Sequence, residues 1–281
     1  MIFKKNILIL FLLLFFSFNL LPVRAETAGE WLKKGIKLSE NLNFEEAIEC
    51  YDKALKIEPK FIDAWRYKGI ALNCLLDYEG ALRCFDKAIE LDPEQPESWA
   101  ARGDGLYQQY KYEEAISSYD KALKLKPDYW LAWINRGSAM VELEKYDEAI
   151  KCFDRAIEIA PKNGDAWMYK GDVFSYQDKY EDAIKCYDKL LELEPDNINA
   201  WHVEAGFFTD LKRYEDAVKC YDKALKIKPE DLYTLNSKGE VLYLLGRYEE
   251  AVRCYDKVLK INPDDTDAIT NKEKALKALN K

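Results

Sequence analysis

Apolar residues recur along this chain at helical spacing, inside a unit that repeats every 34 residues. In the first unit Trp31, Gly35 and Leu38 follow the i, i+4, i+7 spacing, which predicts one amphipathic helix. A second set with the same period occupies residues 44–55. Pro59 cannot continue a helix and moves its predecessor out of the helical region, so the second helix ends before it. The pattern therefore predicts a hairpin of two helices.

The unit occurs seven times in phase. Its tryptophan recurs at Trp31, Trp65, Trp99, Trp133, Trp167 and Trp201, with Leu235 in the last copy. A proline closes each copy, at Pro59, Pro93, Pro127, Pro161, Pro195, Pro229 and Pro263. Repeats of this period are typical of solenoids, in which neighbouring copies bury the faces that one hairpin leaves open.

The unit resembles the tetratricopeptide repeat (TPR). The matching residues of the first copy are Trp31, Gly35, Leu38, Ala47, Tyr51, Ala54 and Pro59. The resemblance implies an all-α fold, a right-handed α-solenoid (superhelix) of antiparallel helix hairpins. It covers the repeats 28–61, 62–95, 96–129, 130–163, 164–197, 198–231 and 232–265, and residues 266–280 predict a capping helix. We expect each recurring glycine to face the alanine series that begins at Ala47, with the tryptophan and tyrosine or phenylalanine rings filling the space beside them.

One position departs from the family pattern. The residue before the glycine is basic in six copies, namely Lys34, Lys68, Arg102, Arg136, Lys170 and Lys238, and is Glu204 in the sixth. An aspartate also recurs, at Asp52, Asp86, Asp120, Asp154, Asp188, Asp222 and Asp256. The two rows predict either ion pairs, within one copy or between neighbours, or two independently solvated rows. The sixth copy, which reads Glu204-Ala205-Gly206, is either a local specialisation or a shifted glycine.

Residues 1–25 have the composition of a signal peptide. Lys4 and Lys5 precede an apolar run at 7–21, and small residues at Val23 and Ala25 predict cleavage after Ala25. An uncleaved membrane anchor is the alternative, and both place the repeats, residues 26–281, outside the cytoplasm. The expected location is therefore secreted or in the cell envelope, and the membrane is contacted only through this segment if it is retained.

The net charge bears on the class of partner, and the placement of the cysteines bears on whether they form disulfides. Removal of residues 1–25 takes Lys+Arg from 42 to 39 against 51 acids, a net charge of −12, which argues against nucleic acid. Six of the seven cysteines occupy one slot of the repeat, namely Cys50, Cys84, Cys152, Cys186, Cys220 and Cys254. Equivalent helices are separated by another helix, so these six are predicted to be packing residues and not disulfides.

No catalytic pattern accompanies the repeats. His202 is the only histidine, and the sequence has neither a serine elbow nor a glycine-rich phosphate loop. The carboxylates fall at repeating solvent positions, and no cysteine or histidine spacing suggests a metal. We therefore expect no enzyme, no cofactor and no metal.

The resemblance implies that the first helices line a concave groove that holds a partner peptide. The groove positions collect Arg66, Glu97, Asp104, Tyr107, Glu142, Met168, Asp172, Tyr176, His202, Asp210, Tyr233, Glu240 and Tyr243. These positions vary while the core repeats, as a recognition surface requires, although drift at exposed positions gives the same pattern. The expected function is a scaffold that binds a basic or amphipathic peptide or protein. A self-associating structural module of the cell envelope is the alternative.

Overall fold

The structure is a computed structural model that describes residues 26–280, and it divides into two units. Unit 1, which ends at Gln109, contains α1 Ala28–Glu40, α2 Phe44–Ile57, α3 Ile62–Cys74, α4 Tyr78–Leu91 and α5 Pro96–Tyr107. Unit 2, which starts at Tyr110, contains α6 Tyr112–Leu125, α7 Trp130–Glu142, α8 Tyr146–Ile159, α9 Gly164–Tyr176, α10 Tyr180–Leu193, α11 Ile198–Asp210, α12 Tyr214–Ile227, α13 Leu232–Leu244, α14 Tyr248–Ile261 and α15 Thr266–Leu279. The described chain holds helices and no strands, which confirms the predicted all-α fold class.

Within each unit the helices pair in sequence order as hairpins. In unit 1, α1 packs on α2 and α3 on α4; in unit 2 the corresponding pairs are α7–α8, α9–α10, α11–α12 and α13–α14. The turn inside a hairpin always places one residue in the left-handed region, at Leu42, Leu76, Tyr110, Glu144, Asp178, Lys212 and Gly246. A glycine occupies this position only in the last copy, so the other turns have no glycine to mark them.

The corner between repeats is held by the tryptophan. The Trp133 indole Nε1 donates to the Pro127 carbonyl at 2.9 Å, and Trp201 makes the same bond to Pro195. The ring is half-buried and lies at the edge of the core. The aromatic residue of the second helix is instead fully buried; Phe153, for example, is 0% exposed.

This second ring also explains the recurring glycine. A Cβ at Gly137 would lie 2.6 Å from the Phe153 ring, and one at Gly69 would lie 2.6 Å from the Phe85 ring. The expectation that the glycine makes room for the facing alanine was therefore wrong in its reason. The glycine is required by the aromatic residue four positions after the alanine, because the ring of that residue occupies the space that a Cβ would take.

The aspartate row and the basic row form ion pairs between consecutive copies. The pairs join residues 16 apart: Lys68–Asp52 and Arg102–Asp86 in unit 1, and Arg136–Asp120, Lys170–Asp154, Lys238–Asp222 and Lys272–Asp256 in unit 2. Their N···O distances run from 2.5 to 2.7 Å. The pairing alternative is thus confirmed, and the partner belongs to the next repeat.

Three further predictions concern the cysteines, the final helix and the N-terminal segment. All seven cysteines are free thiols, and the six in the shared slot are buried, as expected for packing residues. The helix α15 forms as predicted and packs on α14 through its buried Ala268 and Ala275. The proposed signal peptide or anchor, residues 1–25, lies outside the described residues. Among residues 26–280, no helix combines the length and apolarity needed to span a membrane.

Candidate functional site

The first-helix face of unit 2 is the surface presented by α7, α9, α11 and α13. Each of these helices starts just after the inter-repeat corner, and in several copies an Asn or Asp side chain caps it. Asn163 accepts from the Ala166 backbone N–H at 3.1 Å, and Asn197 from that of Ala200 at 3.0 Å. Because the corner bond recurs from repeat to repeat, equivalent side chains of successive first helices come to lie side by side.

A row of four tyrosines and two carboxylates runs along one end of this face. We call it the carboxylate–tyrosine row and define it as Tyr112, Glu142, Tyr146, Tyr176, Tyr180 and Asp210. The Tyr112 hydroxyl donates to Glu142 Oε2 at 3.1 Å, and the Tyr146 and Tyr176 ring centroids are 6.2 Å apart. Burial and the nearby Asp172 and Glu142 carboxylates raise the pKa of Tyr176. The row thus brings Glu142 and Tyr176 of the predicted site together, and the Asp210 carboxylate lies close enough to act electrostatically on Tyr180.

The tyrosines that start the second helices were missing from the sequence prediction. Tyr112, Tyr146 and Tyr180 each follow the turn of their hairpin, and they contact a first helix of the next repeat. Their 34-residue recurrence was visible in the sequence. It could not show that the ring crosses to the neighbouring copy.

Asp172 lies beside Tyr176 of the row and is more enclosed than Glu142. Its Oδ1 accepts from the Tyr187 hydroxyl at 2.6 Å. Burial raises the pKa of Asp172, and the bond from Tyr187 works in the opposite direction. The carboxylate is thereby held in place by the core, and it contributes negative charge to the row without being freely solvated.

A second neighbourhood is a pocket of about 510 Å³ around His202. The imidazole stacks on Tyr233 with 4.8 Å between ring centroids, and its Nε2 lies 2.5 Å from the Thr234 hydroxyl oxygen. The Thr234 hydroxyl donates its single proton to Asp231 at 2.7 Å, so the Nε2–H of His202 must be the donor to Thr234. Burial lowers the pKa of His202, which favours this neutral tautomer.

Lys228 completes the polar wall of the pocket. Its ammonium lies 2.7 Å from the Asp231 carboxylate. Burial works to raise the pKa of Asp231, but hydrogen bonds from Lys228 and Thr234 lower it to about 2. The pocket therefore presents a fixed ion pair beside a neutral imidazole and an exposed phenol.

Three other predicted residues of unit 2, Glu240, Tyr243 and Met168, belong neither to the carboxylate–tyrosine row nor to the His202 pocket. Asn271 of α15 donates to Glu240 at 3.0 Å, so the capping helix extends the same face. Tyr243 lies 5.3 Å from the Tyr248 ring. Met168 is half-buried and packs on the core around Ile184 and Leu190, so it contributes little accessible surface.

Four predicted residues belong to unit 1. Arg66 on α3 pairs with Asp63 at 2.7 Å and lies 4.6 Å from the Tyr67 ring, which fixes its charge on its own helix. Glu97, Asp104 and Tyr107 follow one another on α5 and are half-buried. They form part of the first-helix face of unit 1.

Within residues 26–280, no group of three or more His, Cys, Asp or Glu side chains is arranged to hold a metal ion. Burial raises the pKa of the Cys84 and Cys186 thiols to about 11, so these thiols stay protonated and poorly nucleophilic at neutral pH.

Comparison with known proteins gives a consistent family assignment. Profiles described as tetratricopeptide repeat match residues 32–96, 75–129 and 100–164, and also 164–197 and 233–265. A further profile described as TPR repeat matches residues 208–246. No curated protein sequence matches the chain.

Solved structures share the fold at low sequence identity. The C-terminal part of a TPR repeat-containing protein from Cytophaga hutchinsonii superposes with a TM-score of 0.71 at 17% identity, covering 85% of this chain and 98% of that one. YrrB, described as a TPR protein with an unusual peptide-binding site, has a TM-score of 0.55 at 24% identity and covers 67% of this chain and 97% of its own. MamA gives a TM-score of 0.55 at 24% identity, covering 60% and 92% respectively. These similarities establish the fold.

Proposed function

Because this chain belongs to the tetratricopeptide repeat family, we propose that it is a non-catalytic scaffold that binds a basic or amphipathic peptide on the first-helix face of unit 2. The family and its structural neighbours imply a protein–protein interaction scaffold. The nature and place of the partner are our proposal. YrrB, a fold neighbour described as having a peptide-binding site, supports the choice of a peptide.

The carboxylate–tyrosine row is the observation that carries the proposal. Carboxylates next to exposed aromatic rings suit Lys and Arg side chains, because the carboxylate supplies an ion pair and the ring face attracts the same cation. Tyr176 is 60% exposed and Tyr233 69% exposed, so both offer apolar area to an amphipathic partner. The net charge of −9 for the whole chain steers basic partners in the same direction.

Binding of a fluorescein-labelled lysine–leucine peptide of helical periodicity tests the proposal by fluorescence anisotropy. In the variant Glu142→Lys/Asp210→Lys we expect affinity to fall on the order of tenfold or more, with a weaker dependence on salt, because two attractive charges become repulsive. The control Glu90→Lys/Glu158→Lys makes the same charge change at exposed positions of the second helices α4 and α8, outside the row. Equal affinity losses in the two double variants would contradict binding at this face.

We also propose export through residues 1–25, with the repeats outside the cytoplasm as a secreted or envelope protein. The charged start and the apolar run support this location, and a retained membrane anchor is the second form of the same proposal. Mass determination of the mature N-terminus distinguishes them: a chain that begins at Glu26 shows cleavage. A full-length chain in the cytoplasmic fraction would refute export.

A further inference from the structure

Where a tryptophan precedes the basic residue, the inter-repeat ion pair is one half of a recurring binding arrangement for a cation. In unit 2 the Lys170 ammonium bonds Asp154 at 2.6 Å and lies 5.8 Å from the Trp167 ring. Arg136 in the same way bonds its aspartate at 2.7 Å and lies 5.9 Å from the Trp133 ring. We call this arrangement a cation seat: an aspartate of one second helix and the tryptophan of the next first helix, with a basic side chain between them.

The seat between α10 and α11 has its walls but no internal cation. Asp188 and Trp201 occupy the positions of the aspartate and the tryptophan, while Glu204 stands where every other repeat has Lys or Arg. Within the described residues, no Lys or Arg side chain lies over the Trp201 ring. The indole stays in the usual place, because its Nε1 donates to the Pro195 carbonyl at 2.9 Å.

Glu204 is buried in a way that leaves it partly unpartnered. Its side chain is 2% exposed, Oε2 accepts from the Cys220 thiol at 3.2 Å, and Oε1 accepts from no N–H, O–H or S–H group unless a proton on one carboxyl joins it to Asp188. The Asp188 carboxylate faces it and brings a second negative charge. Two carboxylates at one place need either a proton or a positive charge between them.

A concavity opens at this seat. It measures about 540 Å³ and is lined by Asp188, Trp201, Leu191, Lys185, Lys189 and Glu192. The two lysines are already paired, Lys185 with Asp182 at 2.8 Å and Lys189 with Glu192 at 2.7 Å. Lys151 and Arg155 stand in the equivalent places beside Asp154, where Lys170 nevertheless binds, so such neighbours do not exclude a cation.

We propose that the α10–α11 seat is a binding site for an arginine or lysine side chain of a partner protein, which replaces the missing internal cation between Asp188 and the Trp201 ring. The neighbouring repeats make the same contacts internally, where Arg136 and Lys170 each lie between an aspartate and a tryptophan ring. The site shares no residue with the carboxylate–tyrosine row or with the His202 pocket, so its test is independent of the peptide site proposed above.

The charges around the seat give it a pH dependence. Burial and the facing Asp188 raise the pKa of Glu204 to about 7, although the Cys220 thiol works in the opposite direction. The helix α12 also contributes the Asp216 carboxylate, which acts electrostatically on Cys220 and which Arg213 and Lys219 each bind at 2.8 Å. A guest cation competes with the proton held by Glu204 and Asp188, so it binds more tightly as the pH rises through 7.

The test uses the blocked tripeptide Gly-Arg-Gly as probe and its citrulline counterpart as a neutral isostere. The indole N–H resonances of the full chain are followed by NMR, and that of Trp201 is identified by its loss in Trp201→Phe. We expect the arginine peptide to shift the Trp201 resonance with a dissociation constant on the order of millimolar. The shift should be larger at pH 8 than at pH 5.5, and Trp133 and Trp167, whose seats are filled, should serve as internal controls.

Two variants decide between the seat and general charge attraction. Glu204→Lys supplies the internal cation and should abolish the shift, and Asp188→Asn, at an exposed position that leaves the fold intact, should weaken it several-fold. A Trp201 resonance that does not move up to tens of millimolar would overturn the proposal. Equal shifts with the citrulline peptide, or a shift that persists in Glu204→Lys, would do the same.

Discussion

Repeats 5 and 6 are neighbours with helices of equal length and nearly opposite chemistry at one place. In repeat 5 the sequence Lys170-Gly171 places a cation against Asp154 and a bare backbone against the Tyr187 ring. In repeat 6 the sequence Glu204-Ala205 places a carboxylate against Asp188. The α9 and α11 helices nevertheless have 13 residues each. Two adjacent substitutions thus alter the charge of an interface while the hairpin itself persists.

The buried tyrosine of the second helix also differs between the two repeats. Tyr187 is 3% exposed in repeat 5, whereas Tyr221 is 7% exposed in repeat 6 and meets the edge of the His202 ring at 5.7 Å between centroids. Repeat 6 has its glycine one position later than the other repeats, at Gly206, where an added Cβ would have no atom within 4 Å. It therefore does not take over the packing role of Gly171, and the shifted-glycine interpretation of the sixth copy is wrong.

The largest expected effect is the pH dependence that Glu204 gives to repeat 6. Folding raises the pKa of Glu204 to about 7, so the folded state holds the proton more tightly than the unfolded chain does. The resulting stability is fully present below the ordinary carboxylate pKa and is lost as the pH rises through 7. Between pH 4.5 and 7 the wild type should lose about 3 kcal/mol of unfolding free energy relative to Glu204→Gln. Urea unfolding of both proteins across this range measures the difference; parallel pH curves would contradict it.

Alanine at the two glycines should have effects of opposite sign. A Cβ at Gly171 would lie 2.8 Å from the Tyr187 ring and 3.2 Å from Cys186 Cβ, so Gly171→Ala should destabilise by about 1–3 kcal/mol. At Gly206 the space is open, and Gly206→Ala should stabilise by up to about 1 kcal/mol through helix propensity. Thermal denaturation checks both variants. A loss of stability in Gly206→Ala would show that repeat 6 packs on its glycine after all.

The smallest expected effect comes from the ion pair itself. Lys170→Met removes the partner of a half-exposed Asp154 and should cost only about 0–1 kcal/mol. The same residue at the equivalent position, Glu204→Met, should stabilise at pH 8, because it removes a buried carboxylate with an unpartnered oxygen. The urea midpoints of the two variants should move in opposite directions. Movement in the same direction would mean that the charge at this position does not set the difference between the repeats.

The candidate site was only partly predictable from the sequence. The period and the resemblance located the first helices and so the row of variable positions, including Glu142, Tyr176 and Asp210. The contact of Tyr146 with Tyr176, and the pairing of His202 with Tyr233, join residues about one repeat apart. Such contacts depend on how far each hairpin is rotated against the next, which no local pattern encodes. Met168 was selected by its position, yet its neighbours fold it into the core.

The sequence by itself determined the elements of this protein: seven hairpins and a final helix, with breaks at the prolines. These follow from steric limits on the backbone and from the spacing of apolar residues, both of which act within a few positions of the chain. Only the tertiary structure decided that the aspartate row bonds the next repeat, that the glycine serves an aromatic ring, and that Asp188 and Trp201 face each other without a cation between them. Those outcomes depend on distances between separate helices, which are set when the hairpins pack together.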